Sequence, residues 1–362
     1  MPVVSPKISV IMPVHNADPY LEESVNSILN QTFKNFEFII ICSDPSEKTK
    51  KILDKYQSLD SRILVIYQEK KGIIFARNTG CQLAKGEFIA VMDADDISYP
   101  ERFEKQLLFM EKHPDIGIVG SWADFINQSG LKIYTVRSPT NPFLIGWKLL
   151  FSNCILHLTI LMRTKILKEL NYYTPEMNGF PEDYDLWTRA FFITKIANIP
   201  ASLTQYRLHS TNNSISVNSE IIQFCHIIRN NMLQKILGPE LHEFLESTGL
   251  SMNSDLLSFN LDYIDNQVKV LENLFTAYIT QFEITPEDIP DIKSDLAMKI
   301  YTYSCFMIIH SKIRGLVLLC KALHYSKSTV IIKLIKKIGG KVIYYLKIYL
   351  NAIDVEKKLQ EG

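Results

Sequence analysis

The sequence predicts an α/β protein, with a mostly parallel sheet flanked by helices and then a mainly α-helical C-terminal region. Three observations support this fold class. Strand-like and helical segments alternate over the first 120 residues, three carboxylates follow a buried strand at residues 93–96, and helical patterning takes over after about residue 213. We therefore expect two domains, at residues 1–213 and 214–362.

Strand and helix alternate regularly up to the acidic cluster. Four segments have the continuous apolar character of buried strands: KISVIMPV, FEFIIIC, RILVIY and EFIAVMD. Three segments between them have apolar residues at helical spacing: PYLEESVNSILNQT, SEKTKKILDKYQSL and IIFARNTGCQLA. This order is typical of a parallel sheet, in which ligands bind beyond the carboxyl ends of the strands. A site is therefore expected directly after EFIAVMD.

The segments after the acidic cluster continue the pattern less regularly. Ser98 is predicted as the N-cap of a helix at ERFEKQLLFMEKH, with Pro100 and Glu101 in its first turn. Another helix is predicted to begin at PEDYDLWTRAFF. The remaining segments before residue 213 have extended character: IGIVGSWADFI, LKIYTV, NCILHLTILMR and IANIPASLTQYRLH. We expect these segments to enlarge the sheet.

Composition and charge describe an ordinary folded protein. Hydrophobic residues make up 47% of the chain and charged residues 22%, and the formal net charge is +0, so nothing global indicates nucleic acid as a partner. The six cysteines are scattered without a CxxC pair and are expected to be reduced core residues. We find no signal-peptide pattern and no uncharged apolar run of about 18 residues, the length of a spanning helix. A cytoplasmic protein is expected.

Three carboxylates, those of Asp93, Asp95 and Asp96, follow the fourth predicted strand within four positions. Carboxylates this close repel one another unless a positive charge lies among them. A divalent cation would make the arrangement favourable, because Mg²⁺ and Mn²⁺ prefer hard oxygen ligands of this kind. The alternative is a solvated acidic turn ahead of a helix N-terminus.

Four motifs occur in order along the chain: ISVIMPVHNADPYLEESVNSILNQT, GIIFARNTGCQLAKGEFIAVMDADD, PERFEKQLLFME and GFPEDYDLWTRA. Through these motifs, residues 7–210 resemble glycosyltransferase family 2, the inverting enzymes of the GT-A fold, in its bacterial polysaccharide-type members. The resemblance implies metal-dependent transfer of a sugar from a nucleotide-diphosphate sugar, a UDP-sugar foremost. The acceptor would be a hydroxyl of a saccharide or lipid-linked saccharide in surface polysaccharide biosynthesis.

The resemblance places the metal and the donor at the acidic cluster. Asp93, Ala94 and Asp95 match the family's DxD motif, in which the second Asp contacts the metal and the first contacts the donor sugar or ribose. The implied cofactor is Mn²⁺ or Mg²⁺, which would act as a Lewis acid on the diphosphate, with Asp93 as a further ligand. His209, in YRLHSTNNSIS, matches a position that could reach the metal or diphosphate. A structural imidazole in a polar loop is the alternative.

Further matches are implied to bind the nucleotide. Pro13, Val14 and His15 correspond to a Pro-x-Tyr-Asn loop that lines the base, with His15 in place of Tyr. Arg77 resembles the family's donor-contacting Arg and could pair with phosphate or with Asp93. A surface salt bridge is the alternative role for Arg77.

One departure from the family pattern concerns the nucleotide base. Members of the family usually end the second strand with Asp-Asp-x-Ser, whose second Asp holds uracil, whereas this chain has CSDPS. Ser43 takes the place of that Asp, and Asp44 comes one position late. A register shift could bring Asp44 to the base, or Ser43 could make a weaker neutral hydrogen bond. The identity of the base is therefore left open, while the metal and the catalytic base are unaffected.

The acceptor side is implied by the motif GFPEDYDLWTRA. By resemblance Asp183 is the general base that takes the proton of the acceptor hydroxyl, and Glu182 is a supporting or acceptor-binding group. Alternatively, both are first-turn residues that stabilise a helix N-terminus. Tyr184 and Trp187 could form an aromatic platform for the acceptor sugar, although Trp187 could equally be a core residue. His157 matches a family position near the acceptor.

The C-terminal region contains a basic amphipathic segment. From His310 to Leu350 the chain has eight Lys and one Arg but no Asp or Glu. At about 100° per residue, the apolar side chains of residues 328–353 fall on one side of a helix and most lysines on the other. This pattern is typical of a helix that lies in the plane of a membrane surface, here the inner face of the plasma membrane. Packing on the rest of the protein or on a second subunit is the alternative.

Three other functions compete with a transferase. A non-catalytic nucleotide-sugar-binding protein on the same fold is favoured by CSDPS and opposed by the intact DADD and PEDYD. A phosphatase with Asp93 as its nucleophile would leave ARN and PEDYDLW unexplained. A sugar nucleotidyltransferase needs a Gly-rich phosphate loop after the first strand, and MPVHNADP offers none.

Overall fold

A computed structural model describes residues 5–15, 19–69, 72–175, 181–209, 219–247 and 261–337. The chain divides into two compact units, Met1–Lys235 and Ile236–Gly362. In its described residues the first unit is α/β and the second is helical, as the sequence predicts. The assignment of separate functional domains to residues 1–213 and 214–362 stays a prediction.

The described part of the first unit contains one sheet with helices packed against it. Its strands are β1 (Ile8–His15), β2 (Phe36–Ser43), β3 (Ile63–Gln68), β4 (Phe88–Val91), β5 (Ile97–Ser98), β6 (Ile116–Ile126), β7 (Lys132–Val136), β8 (Leu161–Arg163) and β9 (Lys195–Arg207). Its helices are α1 (Leu21–Leu29), α2 (Glu47–Leu59), α3 (Ile73–Leu83), α4 (Arg102–Lys112), α5 (Pro142–Leu149), α6 (Thr164–Glu169) and α7 (Glu182–Ala190), besides a short 3-10 helix at His157–Thr159. A further helix, α8 (Ser219–Ser247), begins in this unit.

The strands lie in the order β3-β2-β1-β4-β8-β6-β9-β5, and β7 pairs with β6. The first four of these strands are parallel, which confirms the predicted alternation of strand and helix. Beyond β4 the sheet is mixed, because β8 is antiparallel to both β4 and β6 while β6 and β9 are parallel. The carboxyl ends of β1, β2 and β4 therefore lie at one edge, where a ligand site is expected in such a sheet.

Close packing of α3 on the sheet sets the position of one site residue. A Cβ atom added to Gly80 would lie 2.6 Å from Cγ2 of Ile11, so only glycine allows α3 to approach β1 this closely. Arg77, one turn earlier on α3, is thereby held at the carboxyl end of the sheet.

A buried arginine fixes the end of β4. Arg102 is fully buried and donates from Nη2 to the carbonyl oxygens of Val91 (3.1 Å) and Ile160 (3.0 Å). Burial lowers the pKa of Arg102 to about 9, although the charges of Asp93 and Asp96 oppose that shift. The turn after β4 is therefore attached to a rigid part of the core.

Two local predictions were wrong. Ser98 is not an N-cap: α4 begins later, at Arg102, and Ser98 pairs in β5 with Thr204 of β9. The Ser98 hydroxyl instead accepts a hydrogen bond from Nε2 of Gln31 (3.0 Å). The segment NCILHLTILMR is only partly extended, since a 3-10 helix at His157–Thr159 precedes the short β8.

The described part of the second unit is helical. Gly238, with φ 68°, interrupts α8, and the helices that follow are α9 (Leu261–Gln281), α10 (Ile289–His310), α11 (Lys312–Tyr325) and α12 (Lys327–Lys337). Apolar residues fill the space between these helices: Leu274, Tyr278, Leu296, Ile300, Leu318 and Ala322. Among the helices that the structure describes, none is long and apolar enough to cross a membrane. The predicted amphipathic segment begins within α12, and its residues 338–353 lie outside the described residues.

Candidate active site

The turn after β4 presents two carboxylates outward and buries a third. The side chains of Asp93 and Asp95 are 27% and 24% exposed, whereas Asp96 is buried. Burial raises the pKa of Asp95, and the charge of Asp93 raises it further. Burial and the charges of Asp95 and Asp93 hold the pKa of Asp96 well above its usual range. In the sequence Asp-Ala-Asp-Asp, the carboxylates of Asp93 and Asp95 therefore face the site, and that of Asp96 faces the protein interior.

The end of β9 holds this turn in place. The Arg207 main-chain N–H donates to Oδ1 of Asp96 (2.8 Å), and its Nε donates to the Asp95 carbonyl (3.0 Å). Nη2 of Arg207 also donates to Oε2 of Glu23 on α1 (2.6 Å). The buried Arg207 guanidinium therefore links the acidic turn, β9 and α1.

His209 lies beside the second carboxylate of the DxD motif. Its Nε2 is 2.8 Å from Oδ2 of Asp95, and its side chain is 8% exposed. The carboxylate of this pair suits Mn²⁺ or Mg²⁺, which take further oxygen ligands from phosphate and water. Within the described ranges no group of three His, Cys, Asp or Glu residues forms a preassembled metal site. The protein thus offers a partial ligand set that a diphosphate could complete.

Arg77 joins the acidic turn to the first turn of α7. It is 3% exposed, donates from Nη2 to Oδ1 of Asp93 (3.0 Å), and donates from Nη1 to Oε1 of Glu182. Burial lowers the pKa of this guanidinium, but the charges of Asp93 and Glu182 outweigh burial and raise it. Arg77 is therefore engaged by two carboxylates in the protein interior and is not a surface ion pair.

The two acidic residues at the start of α7 differ in environment. Glu182 is 2% exposed, and burial raises its pKa from 4.5 to about 8 despite the opposing charge of Arg77. Asp183 is partly exposed and accepts at Oδ2 from Nδ2 of Asn153 (2.8 Å). Burial also raises the pKa of Asp183, while the hydrogen bond from Asn153 lowers it. Asp183 can thus meet a substrate, and Glu182 cannot.

The predicted base pocket lies at the ends of β1 and β2. His15 pairs with Ser43 across these strands, and Nδ1 of His15 donates to the Ser43 carbonyl (3.1 Å). The buried Ser43 hydroxyl accepts from Nε2 of Gln68 (3.0 Å). Asp44 is exposed and has φ 54°, a left-handed conformation that Asp tolerates. Pro13 and Val14 precede His15 in β1, so these residues share one end of the sheet with Asp93.

The predicted acceptor residues lie in the core. Trp187 is fully buried and Tyr184 is 2% exposed, with its hydroxyl donating to the Leu149 carbonyl (2.6 Å). His157 is 9% exposed and forms a 2.8 Å hydrogen bond with the Tyr173 hydroxyl. Burial and the charge of Arg77 hold the pKa of His157 well below its usual range. Because these rings are enclosed by protein, burial argues against an aromatic platform for a sugar.

Sequence reasoning missed several residues of the site. Arg207 contacts the acidic turn, Asn153 contacts Asp183, and Glu23 contacts Arg207, all from distant parts of the chain. Arg207 could have been predicted, because it lies two residues before His209 in the same predicted strand and His209 was already expected near the acidic turn. No local pattern marks Glu23 or Asn153, because both act through tertiary contacts.

Comparisons with known proteins identify a family. The family described as Glycosyl transferase family 2 matches residues 9–170. An uncharacterised glycosyltransferase of Haemophilus influenzae is 30% identical over 280 residues, covering 74% of this chain and 84% of that protein. The O-antigen biosynthesis glycosyltransferase WbnJ of Escherichia coli is 37% identical over 208 residues, covering 56% and 80% respectively.

Solved structures support the same fold at lower identity. TarS 1–349 of S. aureus in complex with UDP-GlcNAc has a TM-score of 0.54 and 17% identity, covering 89% of this chain and 92% of that one. Another TarS structure, in complex with UDP, has a TM-score of 0.52. The α/β fold and these relatives together define a glycosyltransferase. The chain belongs to glycosyltransferase family 2 and is a glycosyltransferase of the GT-A fold.

Proposed function

We propose that this glycosyltransferase moves a sugar, with inversion, from a UDP-sugar to the hydroxyl of a saccharide or lipid-linked saccharide in surface polysaccharide biosynthesis. One observation carries the proposal: the Arg77 guanidinium contacts both Asp93 of the DxD turn and Glu182, the neighbour of Asp183. The donor-binding carboxylates and the candidate base therefore belong to one site. The polysaccharide setting is supported by WbnJ, an O-antigen biosynthesis enzyme.

The donor would lie at the carboxyl ends of β1, β2 and β4. TarS binds UDP and UDP-GlcNAc, and these complexes support a uridine nucleotide for the proposal. His15 would line the base in place of the family's tyrosine. Ser43 and Gln68 would supply neutral hydrogen-bonding groups where the usual Asp is replaced.

Asp95 and His209, with Asp93 beside them, would hold Mn²⁺ or Mg²⁺ at the diphosphate. The fit is supported by the 2.8 Å approach of Nε2 of His209 to Oδ2 of Asp95. A bound divalent cation would neutralise the charge that develops on the leaving diphosphate. Arg207 contributes by fixing the main chain of Asp95, which orients the carboxylate.

Asp183 would remove the proton from the acceptor hydroxyl as it attacks the donor sugar. Asn153 donates to Oδ2 of Asp183, which keeps the carboxylate in one orientation and favours its charged form. Glu182 would act through Arg77, since its buried carboxylate holds the guanidinium against Asp93. In this arrangement Asp183 is the catalytic base and Glu182 is a positioning residue.

A panel of nucleotide sugars, titrated with and without Mn²⁺ and followed for slow donor hydrolysis, tests the proposal. We expect one UDP-sugar to bind only with metal and to be hydrolysed. Asp95→Ala should abolish metal-dependent donor binding, whereas Asp183→Asn should keep donor binding and lose transfer by orders of magnitude. Glu104→Gln, on the first turn of α4, is the control. Donor binding without hydrolysis or transfer would instead support the non-catalytic binding protein.

Two further parts of the sequence prediction are carried forward as proposals. The basic segment at residues 328–353 would contact the inner face of the plasma membrane, and residues 214–362 would form a domain distinct from the catalytic one. Vesicle flotation with and without anionic lipid, using the full chain and a variant with Lys333, Lys336 and Lys337 replaced by Gln, tests the membrane contact. Equal flotation of both proteins would contradict it.

A further inference from the structure

The first part of α8 runs alongside α7. Nζ of Lys235 lies 4.8 Å from the ring centroid of Phe192, just beyond the end of α7. Near the start of α7, Tyr184 is within electrostatic range of Cys225 and Arg229. Cys225 and Arg229 are four residues apart and therefore lie on the same face of α8. That face is therefore directed at Tyr184, in the first turn of α7.

Arg229 is a buried cation without a carboxylate partner among the described residues. It is 7% exposed, its Nε has no hydrogen-bond partner, and its Nη2 donates to Nδ1 of His226 (3.2 Å). The other groups that its charge reaches are the Tyr184 hydroxyl and the Cys225 thiol. Burial raises the pKa of both groups, so neither supplies a negative charge at neutral pH.

The lack of a counter-charge among the residues that the structure describes calls for an explanation. Burying an ion costs several kcal/mol unless an opposite charge and hydrogen bonds compensate. Native proteins rarely leave such a group unpaired, and the exceptions cluster at functional sites. A guanidinium matches carboxylate and phosphate groups particularly well, because its planar fork donates two parallel hydrogen bonds.

Arg229 also lies on the acceptor side of the proposed reaction. Asp183 is within electrostatic range of Cys225, one helical turn before Arg229, whereas the DxD carboxylates are engaged by Arg77 and His209. We propose that Arg229 binds an anionic oxygen group of the acceptor, a phosphate or a carboxylate, near the first turn of α7, which carries the proposed base Asp183. This inference rests on the proposed function and narrows the acceptor to a saccharide that carries a negative charge.

The test uses Cys225 as a local reporter in the full chain. Neutral iodoacetamide alkylates thiols, and the rate at Cys225 is followed by peptide mass spectrometry, with the exposed Cys320 as an internal control. Inorganic phosphate and glucuronate are added separately, with EDTA present so that no metal retains the anion. The two anions distinguish a phosphate-bearing acceptor from a uronic-acid acceptor.

We expect at least one anion to slow alkylation of Cys225 but not of Cys320. Arg229→Gln should lose this protection, and Lys235→Gln, which removes one positive charge from the same helix, should keep it. Rates are compared with and without anion within each variant, because Arg229 itself affects the Cys225 thiol. Absence of protection by both anions, or equal protection in Arg229→Gln, would overturn the inference. The readout needs no turnover, so it is independent of the donor assays.

Discussion

Nε2 of His209 lies 2.8 Å from Oδ2 of Asp95, although 114 positions separate the two residues in the chain. The contact forms because β9 ends against the acidic turn, where Arg207 is bonded to Asp95 and Asp96. One strand thus delivers both an anchor and a nitrogen donor to the proposed metal site.

The first prediction concerns metal affinity. His209→Ala should weaken Mn²⁺ binding in the presence of UDP by about tenfold or more, since it removes one protein ligand or its hydrogen bond to another. Isothermal titration calorimetry measures the effect, and the exposed His113→Ala serves as the control. Unchanged Mn²⁺ affinity in His209→Ala would remove His209 from the metal site.

The second prediction concerns stability. Arg77→Met should lower the free energy of unfolding by about 3–5 kcal/mol, because it leaves the carboxylates of Glu182 and Asp93 without their buried partner. The exposed ion pair of Lys195 with Asp115 provides a matched control, and Lys195→Met should change stability by less than about 1 kcal/mol. Urea denaturation of both variants decides the point. Similar losses of unfolding free energy in the two variants would mean that the contacts of Arg77 with Asp93 and Glu182 are not rigidly formed.

The third prediction concerns the pH dependence of stability. The pKa of Glu182 is raised from 4.5 to about 8 in the folded protein, so between these values the folded state binds more protons than the unfolded state. The contribution of Glu182 to stability should therefore fall as pH rises through this interval. In Glu182→Gln the free energy of unfolding should lose this decrease with pH. Glu87→Gln, at an exposed ion pair, should keep the decrease. The free energy of unfolding is measured by denaturation at several pH values. The same pH dependence in Glu182→Gln and in the wild type would contradict this prediction.

The fourth prediction concerns the catalytic base. Asn153 lowers the pKa of Asp183 by hydrogen bonding to its charged form, so Asn153→Ala should raise that pKa. The acidic limb of the pH–rate profile for transfer should move to higher pH, and the rate on that limb should fall. The exposed Asn35→Ala is a suitable control. A limb that does not move would separate Asn153 from the titration of Asp183.

The fold class could be predicted from the sequence because the patterns that indicate strands and helices are local. Continuous apolar runs predicted β1, β2, β3 and β4, and the structure confirms them as parallel neighbours. The position of Asp93 at the sheet edge followed from the general rule for such sheets. The error at Ser98 has an equally local cause, since a good capping residue was used by Gln31 and by β9 for tertiary contacts instead.

The environment of each site residue was beyond sequence reasoning. Arg77 was predicted to pair with phosphate or with Asp93, and the structure shows the contact with Asp93. The second contact, with Glu182, was not predicted, because it depends on how closely α3 and α7 approach. Tyr184 and Trp187 follow the candidate base within α7, but this helix is oriented so that both side chains point into the core. Helical periodicity gives the relative directions of side chains and not which direction faces the substrate.

The contacts of the acidic turn also bear on how such an enzyme could diversify. Within the described residues, the side chains that bond to Asp93, Asp95 and Asp96 come from positions up to 209: Ser24, Arg77, Arg207 and His209. In the proposed function, the donor site is thus complete before α8 begins, whereas Arg229 lies within α8. We therefore predict that a chimera of residues 1–209 with the C-terminal helices of a relative keeps its sugar donor and changes its acceptor.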